Sequence, residues 1–316
     1  MNVRENRDRG EFPDSPAGTR PVSKTGAPAT QLRVEEIASH PRLIPCIRKQ
    51  AATLLGIQAT NPRISSVFAT QQRWLIAHMA LAHYFTEAGP GRSGGLHAAR
   101  FIDSVATQRV ASRNTADAFL KEMLKYRYLQ HAPKGRDRRM RPLEPTPISI
   151  ELICGWLTVH LTTLDALDGG DRSTPFAASP ETIAAIQPVI ADGLVESEAI
   201  REPDPVFSLF NQLNEGGIVM DWLIAGLADV PPDSPRIPST VVSFGNLEGR
   251  ISLSRTHLIR KLRMAEDMGS LGWLGDRGDS AMWVSAQFLS EYNRQQTVKL
   301  AIVDDAFHRV LGPRRA

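Results

Sequence analysis

One constant offset carries a long stretch of this 316-residue chain onto a later one. Ser112-Arg113 falls on Ser254-Arg255, Ala116 on Leu258, Leu120 on Leu262, Met123 on Ala265 and Leu129 on Leu271. The apolar segment 63–88 falls on 205–230, and 148–167 falls on about 288–310. Identity is low, but the order of segments agrees. A recurrence of this length means that one structural unit is built twice. The expected organisation is a disordered arm over 1–33, a first unit over 34–170 and a second over 171–316, with a short linker around 168–180.

The apolar pattern inside each unit is helical. Ile64, Val67, Phe68, Gln71, Leu75, Met79 and Ala82 recur at intervals of three and four, which predicts one long helix over 63–89. Residues 33–56 read as one broken or two short helices. Further helices are expected at 96–108, 113–127 and 148–167. YLQHAP and RMRPLEP read as short extended pieces around a KGRDR turn. The expected fold class is therefore mostly α with short β-wings. It consists of two tandem winged helix-turn-helix repeats flanked by long helices.

Charge is segregated along the chain. Net charge is only +3, yet 112–141 carries nine Lys/Arg against three acids, and 250–263 carries five Lys/Arg and no acid. Residues 165–235 carry thirteen acids and two arginines. Basic surfaces kept apart in this way suit a polyanion. The two cysteines, Cys46 and Cys154, form no CxxC pair and give no disulfide framework. The apolar stretches read as too short for a membrane span, and MNVRENRDRGEF has no apolar core of a signal peptide. A cytoplasmic, nucleoid-associated protein is the expectation.

Several catalytic signatures occur without their context. GPGRSG at 89–94 matches GxGxxG, and GRSGG at 91–95 matches GxSxG. Both chemistries need a preceding strand, whereas here a long helix precedes, so the stretch reads as a helix-ending loop. The closest histidine pair, His78 and His83, is five apart and does not place two imidazoles on one helix face. No enzyme activity, metal or cofactor is expected.

The stretch 111–144 carries the functional expectation. Ser112 is a suitable N-cap. Ala116, Phe119, Leu120, Met123 and Leu124 form an apolar stripe. The other face carries Arg113, Asn114, Asp117 and Lys121, with Lys125 near the end. Arg and Asn can make paired contacts to guanine and adenine edges. Lys134, Arg136, Arg138, Arg139 and Arg141 then place five cations in eight residues at 134–141.

A preceding helix, a short turn, a capped helix and a basic β-turn together resemble the winged helix-turn-helix of the MarR-like transcription regulators. The resemblance covers about 63–168 and is strongest at 97–144. It implies that the helix at about 112–127 enters a major groove, with Arg113, Asn114, Asp117 and Lys121 facing bases. Asp137 would orient Arg136 or Arg138, and Arg139 and Arg141 would meet phosphates. The family also pairs its outer helices as a dimer and often binds a small-molecule effector between these and the winged helix. Nothing in the sequence identifies such an effector.

The second copy, at about 254–268, keeps the scheme. Ser254 would cap, and Leu258, Leu262, Ala265 and Met268 would form the stripe. Arg255, Thr256, His257, Arg260 and Lys261 would be exposed. It departs from the family pattern in its short, nearly neutral wing, where Arg277 stands among Asp276 and Asp279. Trp273 and Trp283 read as hairpin packing. The expected partner is double-stranded DNA, bound by a pseudo-symmetric monomer or a homodimer. A plasmid-type replication initiator and a winged-helix protein-interaction module remain the alternatives.

Overall fold

The chain is mostly α-helical, with two small antiparallel sheets. The computed structural model describes residues 29–60, 68, 70–87, 95–133, 141–212, 215–229, 234–241, 255–277 and 280–312. Residues 1–28 of the expected arm, residues 134–140 of the expected wing and residues 242–254 lie outside these residues.

Pro41 divides the first helical stretch into α1 (Val34–Ala38) and α2 (Leu43–Thr60). α3 spans Gln71–Glu87. It starts later than the helix expected from 63, because the Thr70 hydroxyl accepts from the Arg73 amide at 3.3 Å and starts the helix there. Phe68 lies in a turn, and Ile64 and Val67 lie outside the described residues. Leu96 follows as a single bridging residue, then α4 (Ala98–Thr107), α5 (Arg113–Lys125), β1 (Leu129–His131) and β2 (Leu143–Pro145). β1 and β2 pair antiparallel, and Leu96 bridges the outer side of β2 at Leu143.

α6 (Pro147–Asp168) starts with proline in its first turn and ends at Gly169, whose φ of 81° suits glycine. By length and composition this helix reaches what a membrane span needs, contrary to the expectation from the sequence. It packs as a core helix, with Ile153, Leu157, Leu161 and Leu164 buried against α2 and its neighbours.

The acidic stretch after α6 is not a bare linker. It forms α7 (Ser173–Ala178), a 3-10 turn (Pro180–Thr182), α8 (Ile183–Glu196) and α9 (Glu198–Arg201). The helix expected over 205–230 is two helices, α10 (Pro205–Asn211) and α11 (Gly216–Ala225). Glu215, at φ 61°, breaks it ahead of Gly216-Gly217, where helix propensity is lowest. β3 (Arg236–Pro238), α12 (Arg255–Asp267), β4 (Leu271–Trp273), β5 (Met282–Ser285) and α13 (Ala286–Leu311) complete the chain. The second sheet has the order β3-β5-β4, the same order as Leu96-β2-β1 in the first.

The two halves are woven together. α2 packs on α6 of its own half and on α11 of the other. α8 packs on α13 of its own half and on α3 of the other. Short α1 lies on α13, and short α7 lies on α6. One apolar core runs through both halves, from Ile37 and Ile47 to Val303 and Phe307.

The arm expected to run to 33 is tied down from Ala29 onward. Arg172 is fully buried and pairs with Asp168 at 2.8 Å and with Asp304 at 2.6 Å. Its guanidinium also donates to the Thr30 carbonyl at 2.9 Å. The Leu32 amide donates to Asp304 at 2.6 Å, and His308 Nε2 lies 3.1 Å from the Ala29 carbonyl. A guanidinium buried in this way is tolerable only because each face finds a carboxylate or carbonyl.

Candidate functional site

α5 and the hairpin behind it carry most of the residues singled out by the sequence. The Ser112 side chain accepts from the Thr115 amide at 3.1 Å, which closes the first turn of α5. Ala116, Phe119, Leu120 and Met123 are buried, with Leu124 partly so. They seat α5 against α4 and β1. Arg73 on α3 clamps the same helix. Its guanidinium lies 2.7 Å from Glu122 and 5.4 Å from the Phe119 ring centre.

The opposite face is open. Arg113, Asn114 and Lys121 are exposed, and Asp117 is partly so. The charged members are paired: Lys121 lies 2.6 Å from Asp117, and Arg113 pairs with Asp103 on α4. Both pairs are largely solvated and contribute little to stability. They hold the two long cations in place without burying them. Asn114 has its amide on the same exposed turn. Arg141, at the root of the hairpin, is exposed. Lys134, Arg136, Asp137, Arg138 and Arg139 lie outside the described residues.

α12 starts at Arg255, the position that the recurrence sets on Arg113 at the start of α5, and both helices have 13 residues. Leu258, Leu262 and Ala265 are buried as the stripe requires. Met268 is not part of it: it is 45% exposed, because α12 ends at Asp267 and the chain turns away through Gly269. Thr256, His257 and Arg260 are exposed, and Lys261 is partly so. The side chain of Arg255 and the cap at Ser254 lie outside the described residues. Arg277 folds back to pair with Glu266 of α12. Trp283 Nε1 donates to the Trp273 carbonyl at 3.2 Å, and the Trp283 ring stacks under Arg236, 4.4 Å away, so both indoles pack within the hairpin. Met264 on this helix, and Met268 and Leu274 after it, are exposed apolar side chains.

A cavity of about 310 Å³ lies behind α5, at the low end of the range of ligand pockets. Phe119, Met123, Tyr128 and Leu129 form its wall on the α5 side, and Trp74, His78 and Trp156 the wall on the α3 and α6 side. Trp74, His78, Trp156 and His160 contact one another in series, the first two pairs edge to face, with successive ring centres 4.5, 5.0 and 4.0 Å apart. Burial, reinforced by Lys299, pulls both imidazoles down to about 3, so both are neutral. Gln187 Nε2 donates to His78 Nδ1 at 2.9 Å, and His160 Nδ1 donates to the Trp156 carbonyl at 2.8 Å. No motif or spacing in the sequence marks His78 and His160 as a pair. Only the fold brings them together.

A smaller chamber of about 190 Å³ adjoins this cavity, sharing Leu54, Phe68, Trp74 and Gly217 as walls. Its far side is polar, with Asp221, Tyr292 and Lys299. Among the described residues there is no cluster of three or more His, Cys, Asp or Glu side chains suited to a metal. Comparison of this chain with family models, with curated proteins and with solved structures finds no match.

Proposed function

We propose that the chain binds double-stranded DNA with sequence preference and acts as a transcription regulator, through two winged-helix units carried in one polypeptide. The observation that carries this reading is α5. It is a capped helix seated by a buried stripe, with Arg113, Asn114, Asp117 and Lys121 on its open face and a hairpin directly after it. The order α3, Leu96, α4, α5, β1, β2 is that of a winged helix, and the resemblance to MarR-like regulators rests on it. The second half repeats the end of this order with β3, α12, β4 and β5.

In this reading the first turns of α5 enter a major groove. Asn114 and Arg113 read base edges, and Arg141 with the cations of 134–139 meets phosphates. Arg113 exchanges Asp103 for DNA at little cost, since that pair is solvated. α12 makes the second contact through Thr256, His257, Arg260 and Lys261, with a weaker hairpin because Arg277 is engaged by Glu266. The apolar cavity touches the back of α5, so an effector seated there would bear directly on the reading helix.

Electrophoretic mobility shift against a selected DNA pool tests this. Arg141→Ala weakens binding to specific and random duplexes alike, and binding falls steeply with salt. Asn114→Ala costs about 1–3 kcal/mol on the preferred site alone. Equal losses on specific and random DNA count against base reading by Asn114. The second reading is a protein-interaction module, favoured by the exposed apolar side chains of Met264, Met268 and Leu274. Absence of any shift at physiological salt would select it.

A further inference from the structure

The polar chamber contains two opposite charges that do not pair with one another. Asp221 on α11 and Lys299 on α13 both line it. They influence one another, yet they form no ion pair within 4.0 Å among the described residues. The Asp221 carboxylate accepts from the Tyr292 hydroxyl. The Lys299 ammonium has a 3.3 Å contact to Gln296 Oε1 and lies 5.3 Å from the Trp74 ring centre. Burial pushes the Asp221 carboxyl up to about 6 and pulls the Lys299 ammonium down. Each group has therefore lost more hydration than its present partners return.

Packing does not demand these charges. The recurrence sets Asp221 on Met79, which is buried and apolar. What the two groups offer is an acceptor and a donor of opposite sign, carried by two helices that line one chamber. Trp74 and Phe68 stand where this chamber meets the apolar cavity.

We propose that this chamber binds the head group of an apolar α-amino acid, with its carboxylate on Lys299 and its ammonium on Asp221. The side chain then lies past Trp74 and Phe68 in the apolar cavity. A zwitterion gives both protein charges a counter-charge at once, whereas a simple acid or amine leaves one of them without any. The bound head group touches α11 and α13, and the bound side chain reaches the cavity wall formed by Phe119 and Met123 of α5. Binding itself is independent of any DNA activity. Only its regulatory meaning rests on the proposed DNA reading.

Isothermal titration calorimetry on the full chain tests this with L-leucine, L-phenylalanine and L-tryptophan, alongside 3-phenylpropionate and phenethylamine. At least one amino acid binds, and the two truncated analogues of phenylalanine bind at least roughly tenfold more weakly than phenylalanine or not at all. Asp221→Asn and Lys299→Met each abolish the binding heat, while the thermal midpoint of the free protein is kept or raised. Three results overturn the proposal: no heat from any of the three amino acids, an analogue binding as well as its amino acid, or both variants retaining affinity. A lowered thermal midpoint in both variants with ligand heat unchanged marks the pair as structural and also overturns it. If binding holds while DNA affinity does not respond to the amino acid, the site stands and the regulatory reading falls.

Discussion

Two imidazoles set how the protein responds to acid. His78 is 3% exposed and His160 is fully buried, and burial holds both near 3, against about 6.5 in an unfolded chain. The unfolded state therefore takes up protons first. The stability that depends on keeping the two rings neutral is fully present above about 6.5 and is lost as pH falls toward about 3. At its limit this is on the order of 5 kcal/mol for each ring. Asp221 acts in the opposite sense. Its raised value favours the protonated carboxyl in the fold, so its contribution is lost as pH rises through about 6. The two rings outweigh one carboxyl, and the urea midpoint at pH 4.5 is expected well below that at pH 7. His78→Gln with His160→Gln narrows that gap. An unchanged gap in the double variant would place the acid sensitivity elsewhere, for example in the Arg172 carboxylate node.

Helix ends explain a further difference between the halves. α5 and α12 are each followed by a residue of left-handed backbone: Arg127 at φ 62° and Gly269 at φ 67°. Arg127 and Gly269 occupy matching positions of the recurrence. Glycine adopts this conformation freely, whereas a side chain makes it costly. The Arg127 side chain is exposed. Arg127→Gly should therefore raise stability by about 1 kcal/mol, read from chemical denaturation, and a loss would show that the arginine stem contributes packing that exceeds the strain. The cap and stripe of α5 were legible in the sequence because both are local: a serine, then apolar residues at helical spacing. The start of α3 at Gln71 was not, since apolar periodicity runs on past Thr70 and a single hydroxyl decides the boundary. The break at Glu215 did have a local signal in Gly216-Gly217, which the apolar run on either side outweighed. The group of Trp74, His78, Asp221 and Lys299 that lines the cavity and its polar chamber was illegible in principle, because its members come from three separate helices and only helix packing joins them.

At the level of the whole molecule, the exchange of helices between halves governs folding. α2 has its apolar face covered by α11, and α3 has its own covered by α8. A chain of residues 29–170 therefore exposes two unpaired helix faces. It is expected to self-associate or remain unfolded in sedimentation experiments, and added 171–312 should restore a one-to-one complex. A stable folded monomer of 29–170 would contradict this. The weave also alters how the partnership of the two halves depends on amount. Two separate chains of this design would come apart on dilution, at a point set by their dissociation constant. Here the partner is always present at the concentration fixed by the connecting chain. A cell holding only a few copies keeps every one assembled, and either half can accept substitutions that its counterpart does not share.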